Sequence, residues 1–251
     1  MTGLRSSIKA SLFVTCIVDQ FYPEVGESTA RVLDRLGVDL DFPRDQTCCG
    51  QPAFNAGFWN DAKPLARGFL KAFEGDRYIV APSGSCVAMV REFYAELFHD
   101  EPALVARARD MAPRVFELTE FIVDVLGVTS LADLASKRLE RCVTYHESCH
   151  LKRELGVDRQ PRALLDSLPG VQLVEMPQAE VCCGFGGTFA VKYADISAAM
   201  LQDKIDSITS TSADSVVACD ASCLMHIGGG LSKQELPVRA THIAELLDEA
   251  L

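Results

Sequence analysis

This chain lacks a basic surplus: 24 lysines and arginines stand against 35 aspartates and glutamates, a formal net charge of -11. Nothing offers a basic face to phosphates, which argues against nucleic acid as a partner. No apolar run is long enough to cross a bilayer, so no transmembrane segment is expected. The start, Met1 to Ala10, lacks the hydrophobic core of a secretory signal. The expected compartment is therefore the cytoplasm, where thiols stay reduced. Two short motifs are also missing. There is no Cys-x2-Cys pair of the kind that marks zinc ribbons and thioredoxin-like redox sites. Nor does a Gly-x-Gly-x-x-Gly join a strand to a helix in the manner of a dinucleotide site.

Cysteine, in contrast, is abundant, with ten residues in 251. A lone cysteine reads as a small buried hydrophobe, so only spacing can argue otherwise. The spacing here repeats: Cys16-x31-Cys48-Cys49-x36-Cys86, then Cys149-x32-Cys182-Cys183-x39-Cys223. Adjacent thiols suit a disulfide badly, because neighbouring residues rarely reach its geometry. They suit a shared metal or cluster, and the glycines that follow them (Gly50, Gly184) let the backbone approach closely.

Hydrophobic patterning gives these cysteines a setting. Short apolar runs alternate with amphipathic stretches, the signature of parallel α/β sheets. Strands are expected over Ser11–Cys16 (an apolar run extending towards Val18), 38–42, 77–82 and around Val115. The second half repeats the order at 141–145, 171–175, 215–218 and 237–240. Helices are expected over 23–36, 160–167 and 193–208, the last with Ile196, Met200 and Ile208 on its apolar side. One helix starts from a Thr119 cap and ends at Gly127, and another opens at Thr241. The fold class is thus α/β: two tandem, duplicated parallel-sheet domains related by pseudo-twofold symmetry, 1–130 and 131–251, joined near Thr129–Arg138. Each cysteine motif follows a strand. Ligands of open parallel sheets bind beyond the carboxyl ends of the strands, so four thiols per half should converge there.

The repeated Cys…Cys-Cys-Gly…Cys pattern resembles the CCG (cysteine-rich) domain family, which includes the cysteine-rich subunit of heterodisulfide reductase and the iron–sulfur subunits of glycolate and anaerobic glycerol-3-phosphate oxidation. Within it, Thr47-Cys-Cys-Gly-Gln-Pro-Ala-Phe-Asn-Ala-Gly57, Ala81-Pro-Ser-Gly-Ser-Cys86, Glu147-Ser-Cys-His-Leu151, Cys182-Cys-Gly-Phe-Gly-Gly-Thr188 and Cys223-Leu-Met-His226 resemble the A-type proteins of lactate utilisation. The resemblance covers essentially the whole chain. It implies the iron–sulfur component of an oxidoreductase complex that oxidises L-lactate to pyruvate and passes electrons onward, with companion iron–sulfur and small subunits as partners. It also carries a departure. In heterodisulfide reductase each motif ends in Cys-x2-Cys, completing five thiols for a noncubane cluster. Here Ser83 and Asp220 stand where the first cysteine of that pair belongs. Four-ligand sites, such as ordinary [4Fe–4S] clusters, are expected instead.

The expected cofactor and metal ligands are therefore Cys16, Cys48, Cys49, Cys86, Cys149, Cys182, Cys183 and Cys223. No catalytic residue is assigned. Cys219 reads equally as a core thiol or an extra ligand, Asp220 as an oxygen ligand or a loop cap, and Cys142 as core. His146, His150 and His226 lie beside second-half ligands, where an isolated histidine is more often satisfied than ligating. Trp59 heads an apolar helix face and reads as core. Two other functions fit the thiol count. One is a zinc-held scaffold or interaction protein, since zinc can substitute for a lost cluster; the other is a thiol–disulfide oxidoreductase of the heterodisulfide type.

Overall fold

The computed structural model describes residues 8–251, so most of the segment tested for a signal core lies outside the described residues. Two four-stranded sheets follow one another along the chain. The first joins β1 (Lys9–Leu12), β2 (Asp39–Asp41), β3 (Tyr78–Ala81) and β4 (Val115–Glu117) in the order β2-β1-β3-β4. The second joins β5 (Arg141–Tyr145), β6 (Val171–Leu173), β7 (Ser215–Ala218) and β8 (Arg239–His242) in the matching order β6-β5-β7-β8. Every strand pairing within the two sheets is parallel.

The apolar runs explain this arrangement. Ala10, Leu12, Ile79, Val80 and Ala81 in one sheet, and Val143, Val216, Val217 and Ala218 in the other, are buried beneath helices, as parallel sheets require. In each sheet the first and third strands are neighbours, and the chain leaves them towards opposite edges. The crevice that binds ligands opens at this switch point.

The halves share one core. Helix Pro23–Arg35 buries Val25, Val32 and Leu33, and the last helix, Ile243–Ala250, buries Ile243, Leu246 and Leu247 into the same cluster. Leu118 and Phe121 from one half and Leu164 and Leu165 from the other complete it. Segment 127–140 between the sheets has neither helix nor strand, yet it is anchored: Leu131 is buried, and the amides of Ser136 and Lys137 donate to Ala250 O.

Several element boundaries differ from the pattern reading. β1 stops at Leu12 and does not run on to Val18, because Cys16 opens a short helix, Cys16–Phe21. The helix after β4 is capped by Glu117, not Thr119: the Glu117 carboxylate accepts from the amides of Thr119 and Glu120, and Glu120 answers in a capping box. Likewise β8 extends to His242, which caps the last helix in place of an opening at Thr241. Helix Ala194–Thr209 turns Ser197, Lys204, Ile205 and Ile208 inward, whereas Ile196 is exposed. That helix packs its Ser197 turn against Gly184, and this contact sets its rotation.

Candidate metal centre

Beyond the carboxyl ends of β1 and β3 the chain turns sharply, and both turns end in a cysteine. Cys16 is the first residue of helix Cys16–Phe21; Cys86 lies in helix Gly84–Ala88, whose Ser83 cap accepts from the Cys86 amide. Cys48 and Cys49 arrive from the loop after β2. The four sulfurs meet in pairs: Cys16 Sγ is 3.5 Å from Cys48 Sγ, and Cys49 Sγ is 3.4 Å from Cys86 Sγ. Gln46 braces this loop, accepting from Val14 N at 2.8 Å and donating to Leu12 O and Pro43 O. Gln51 donates to Ser85 O at 3.0 Å, tying the Cys-Cys-Gly turn to the Cys86 helix.

The second half builds the same corner. Cys149 opens helix Cys149–Arg153, and Cys223 lies in the first turn of helix Ala221–Lys233. Buried Glu147 holds the approach to Cys149, bound by Lys152 and by Arg162 Nη2 at 2.5 Å. In both Cys-Cys-Gly turns the glycine is left-handed, with φ of 87° at Gly50 and 90° at Gly184, a conformation that disfavours any side chain. The reward is a matched bond: Gly50 N–H donates to Cys48 Sγ and Gly184 N–H to Cys182 Sγ, each at 3.4 Å. A side chain at position 184 would also meet Ser197 O at 2.7 Å.

All ten cysteines are free. Crowding splits the thiols of each set. The Cys48 pKa is lowered to about 3 by hydrogen bonds from Cys16 and Cys49, with help from Gly50 N–H and against its burial. That of Cys182 is lowered to about 2 by Cys149 and Cys183 in the same way. The donors move oppositely: Cys16 and Cys149 are pushed up by those bonds and by burial, as are Cys49 and Cys183. Cys223 is drawn to about 6 by Cys183, with a smaller contribution from the neighbouring His146. Each set thus favours ionisation at some thiols and suppresses it at others. A bound cation removes that conflict by stabilising every thiolate together, so the donor set fits a metal ion or a cluster.

Both sets face one cavity of about 100 Å³ between the sheets, lined by Cys16, Cys49 and Cys86 and by Cys149, Cys182, Cys183 and Cys223. Cys48 reaches it through Cys16. The floor is a bridge between the two motif positions, Ser83 and Asp220. Asp220 Oδ2 accepts from Ser85 N at 2.8 Å and from Ser83 Oγ at 3.3 Å, while Oδ1 accepts from Ser222 N and Ser222 Oγ. One carboxylate therefore caps the helices carrying both Cys86 and Cys223. That favours the capping reading of Asp220, and its service to both halves has no counterpart in the sequence pattern.

The remaining candidates separate clearly. Cys219 Sγ lies 3.5 Å from Tyr145 Oη in the shared core, away from the cavity. Cys142 is half-buried at the start of β5, not in the core, because its strand edge is held to Asp214. Trp59 is partly buried and stacks on Phe54. His226 Nε2 pairs with Ser197 Oγ at 3.2 Å, and His150 Nδ1 lies 3.8 Å from Cys149 Sγ. His146 is fully buried, and one ring nitrogen lies within 4.8 Å of both Cys183 Sγ and Cys223 Sγ. Pattern reading missed Lys204, a buried ammonium donating to Gln178 O and Ala179 O.

A duplicated α/β scaffold that brings four thiols per half to the strand ends around a shared crevice defines a class of cysteine-rich proteins with a donor set able to hold a metal ion or cluster. Comparison with known families makes this specific. The model of the CCG cysteine-rich domain matches twice, at residues 10–91 and 143–228. The chain is 45% identical over 244 residues to Lactate utilization protein A 1 of Bacillus anthracis, covering 97% of this chain and 99% of that one. It is 46% identical over 241 residues to Lactate utilization protein A of Bacillus velezensis, covering 96% and 99%. The chain belongs to the CCG cysteine-rich domain family, in the group that contains these lactate utilization proteins A.

Proposed function

We propose that this protein is an iron–sulfur electron-transfer component of a multi-protein system that oxidises L-lactate to pyruvate. It works in the cytoplasm with companion iron–sulfur and small subunits and passes electrons to a further acceptor. The names of its relatives support lactate as the substrate of the system. One observation supports the redox reading: two sets of four thiols are delivered by matched turns, and seven of the eight line the same cavity, with Cys48 beside Cys16 behind it. Cys16, Cys48, Cys49 and Cys86 hold one centre, and Cys149, Cys182, Cys183 and Cys223 hold the other, each set within one of the domains 1–130 and 131–251.

A [4Fe–4S] cluster supplies one-electron transfer when bound at such thiolates. The chain's own contribution is to fix the sulfurs and donate backbone N–H groups to them from Gly50 and Gly184. Burial of Cys49, Cys86, Cys183 and Cys223 keeps water from half of the ligands. Hydride-type chemistry on lactate suits a flavin, which we assign to a partner.

Protein made anaerobically with ample iron is expected to be brown, absorbing broadly near ~400 nm, with iron and sulfide in matching amounts. Mixed with its companion subunits, it should be reduced when lactate is added. Colourless, iron-free protein that retains zinc would move the assignment to a zinc-held scaffold. Turnover of disulfides without iron would move it to thiol–disulfide exchange.

A further inference from the structure

We propose that His146 supplies a ring nitrogen to the metal centre of the second half beside Cys183 and Cys223, taking the position of one of the set's other two thiols, Cys149 or Cys182, so that this centre is a mixed nitrogen–sulfur site while the first is held by sulfur alone. The inference rests on the cluster reading above and exchanges one of its four donors for one that the thiol repeat does not contain.

Four observations converge. His146 is 0% exposed, and neither ring nitrogen meets a partner at hydrogen-bonding geometry among the described residues; the polar group it faces is the Cys223 thiol, whose pKa it helps to lower. A buried polar atom left unpaired is destabilising, so both nitrogens call for an explanation. One of them lies within 4.8 Å of Cys183 Sγ and Cys223 Sγ, which are themselves within that distance of each other. A single ion could therefore touch all three.

Nor is a histidine needed by the framework. Beyond the Tyr145–Val217 pair, His146 N donates to Val217 O at 2.9 Å; beyond the Leu12–Val80 pair, Phe13 N donates to Val80 O at 2.9 Å. Phe13 is thus the first-half counterpart, and it is fully buried against Phe69 and Phe73. The same fold is satisfied by a phenyl ring at that position.

The surroundings change along with the ring. Gly50 abuts Ala62 and Gly184 abuts Ser197, which makes those helices equivalent; two turns further on stand Phe69 in the first half and Lys204 in the second. Where the first half has an aromatic pair whose ring centroids are 4.9 Å apart, the second half has His146 and Lys204 at the equivalent positions. The two halves thus differ in polarity at these positions on the side of one centre only.

Of the other histidines beside this set, His226 is already paired with Ser197, while His150 lines the cavity with Nδ1 3.8 Å from Cys149 Sγ and is the rival donor that the test must separate.

The test is pulsed electron paramagnetic resonance on anaerobic, iron-loaded protein reduced with dithionite, prepared with natural-abundance and with ¹⁵N-labelled histidine. We expect a directly bound nitrogen on one centre, its coupling altered by the label. It should vanish in His146→Phe, which installs the first-half residue, and persist in His150→Ala and in Cys86→Ser. His146→Gln serves if the phenylalanine variant does not fold, and the label on unmutated protein needs no variant. Iron-loaded protein with no histidine coupling, or a coupling that survives loss of His146, overturns the inference. Iron-free protein overturns the cluster reading instead, and iron analysis of the same sample distinguishes the two failures.

Discussion

The two half-sites share their sulfurs and differ in what lies behind them. Both present paired thiols from a Cys-Cys-Gly turn with a left-handed glycine, and single thiols from the turns after two neighbouring strands. Behind the first, Phe13, Phe69 and Phe73 form an aromatic cluster. Behind the second stand His146 and Lys204. The difference teaches that thiol placement is a property of the sheet, fixed by strand ends and turn glycines. The dielectric and charge around each centre belong to individual core residues, which duplication left free to diverge. Charge, hydrogen bonds to sulfur and burial set cluster potentials, so clusters held at the two half-sites, as proposed, should not be redox-equivalent.

The most damaging way to break the comparison is to remove a thiol from one side. Cys183→Ser should abolish metal binding in the second half and leave the first, so iron content falls by about half. Equal loss from both halves would mean one shared centre, and unchanged iron would remove Cys183 from the ligand set.

A smaller effect is expected where the halves touch. Gly84 lies so close to Leu151 that an added Cβ would meet Leu151 Cβ at 2.6 Å, while its counterpart Ala221 already carries a methyl group. Gly84→Ala should destabilise by about 1–3 kcal/mol through overpacking, read as a lower midpoint in denaturant. Ala221→Gly should cost no more than about 1 kcal/mol, the ordinary helix penalty of glycine.

The smallest effect concerns the two matched caps. Glu117 ends β4 and His242 ends β8; both are buried and both close capping boxes. Burial pushes Glu117 up to about 8, against the pull of Thr119 and Glu120, so it is protonated in the folded state over a range where the unfolded chain ionises. Its stabilising contribution is full below its ordinary value near 4.5 and is lost as pH rises through about 8. Burial lowers His242 to about 4; its Nε2–H donates to Pro82 O, and its Nδ1 accepts from Ala244 N. That contribution is present above its ordinary value of 6.5 and is lost as pH falls through about 4. The slopes oppose each other between those limits. Glu117→Gln should flatten the alkaline decline, and His242→Asn the acid one, in denaturation midpoints measured across pH.

Much of this was legible in the sequence. The alternation of apolar runs and amphipathic stretches announced two parallel sheets, and the cysteine spacing placed all eight thiols after strands, because both features are local and periodic. What escaped depends on three-dimensional neighbours. Lys204 is charged, and nothing in its helix shows that two carbonyls await it in the interior. Ile196 continues an apolar pattern, but the Ser197–Gly184 contact rotates it outward. Thr119 is an ordinary cap residue, yet Glu117, two positions earlier, has the extended backbone a cap requires. The dual cap by Asp220 exists only because the two halves meet at that residue.

The central claim is that the chain holds two separate and unlike iron–sulfur centres. A potentiometric titration of anaerobic, iron-loaded protein, followed by electron paramagnetic resonance, tests it most directly. The account predicts two signals that develop at different potentials, with Cys183→Ser erasing only one of them. A single signal, lost whole in that variant, would contradict it.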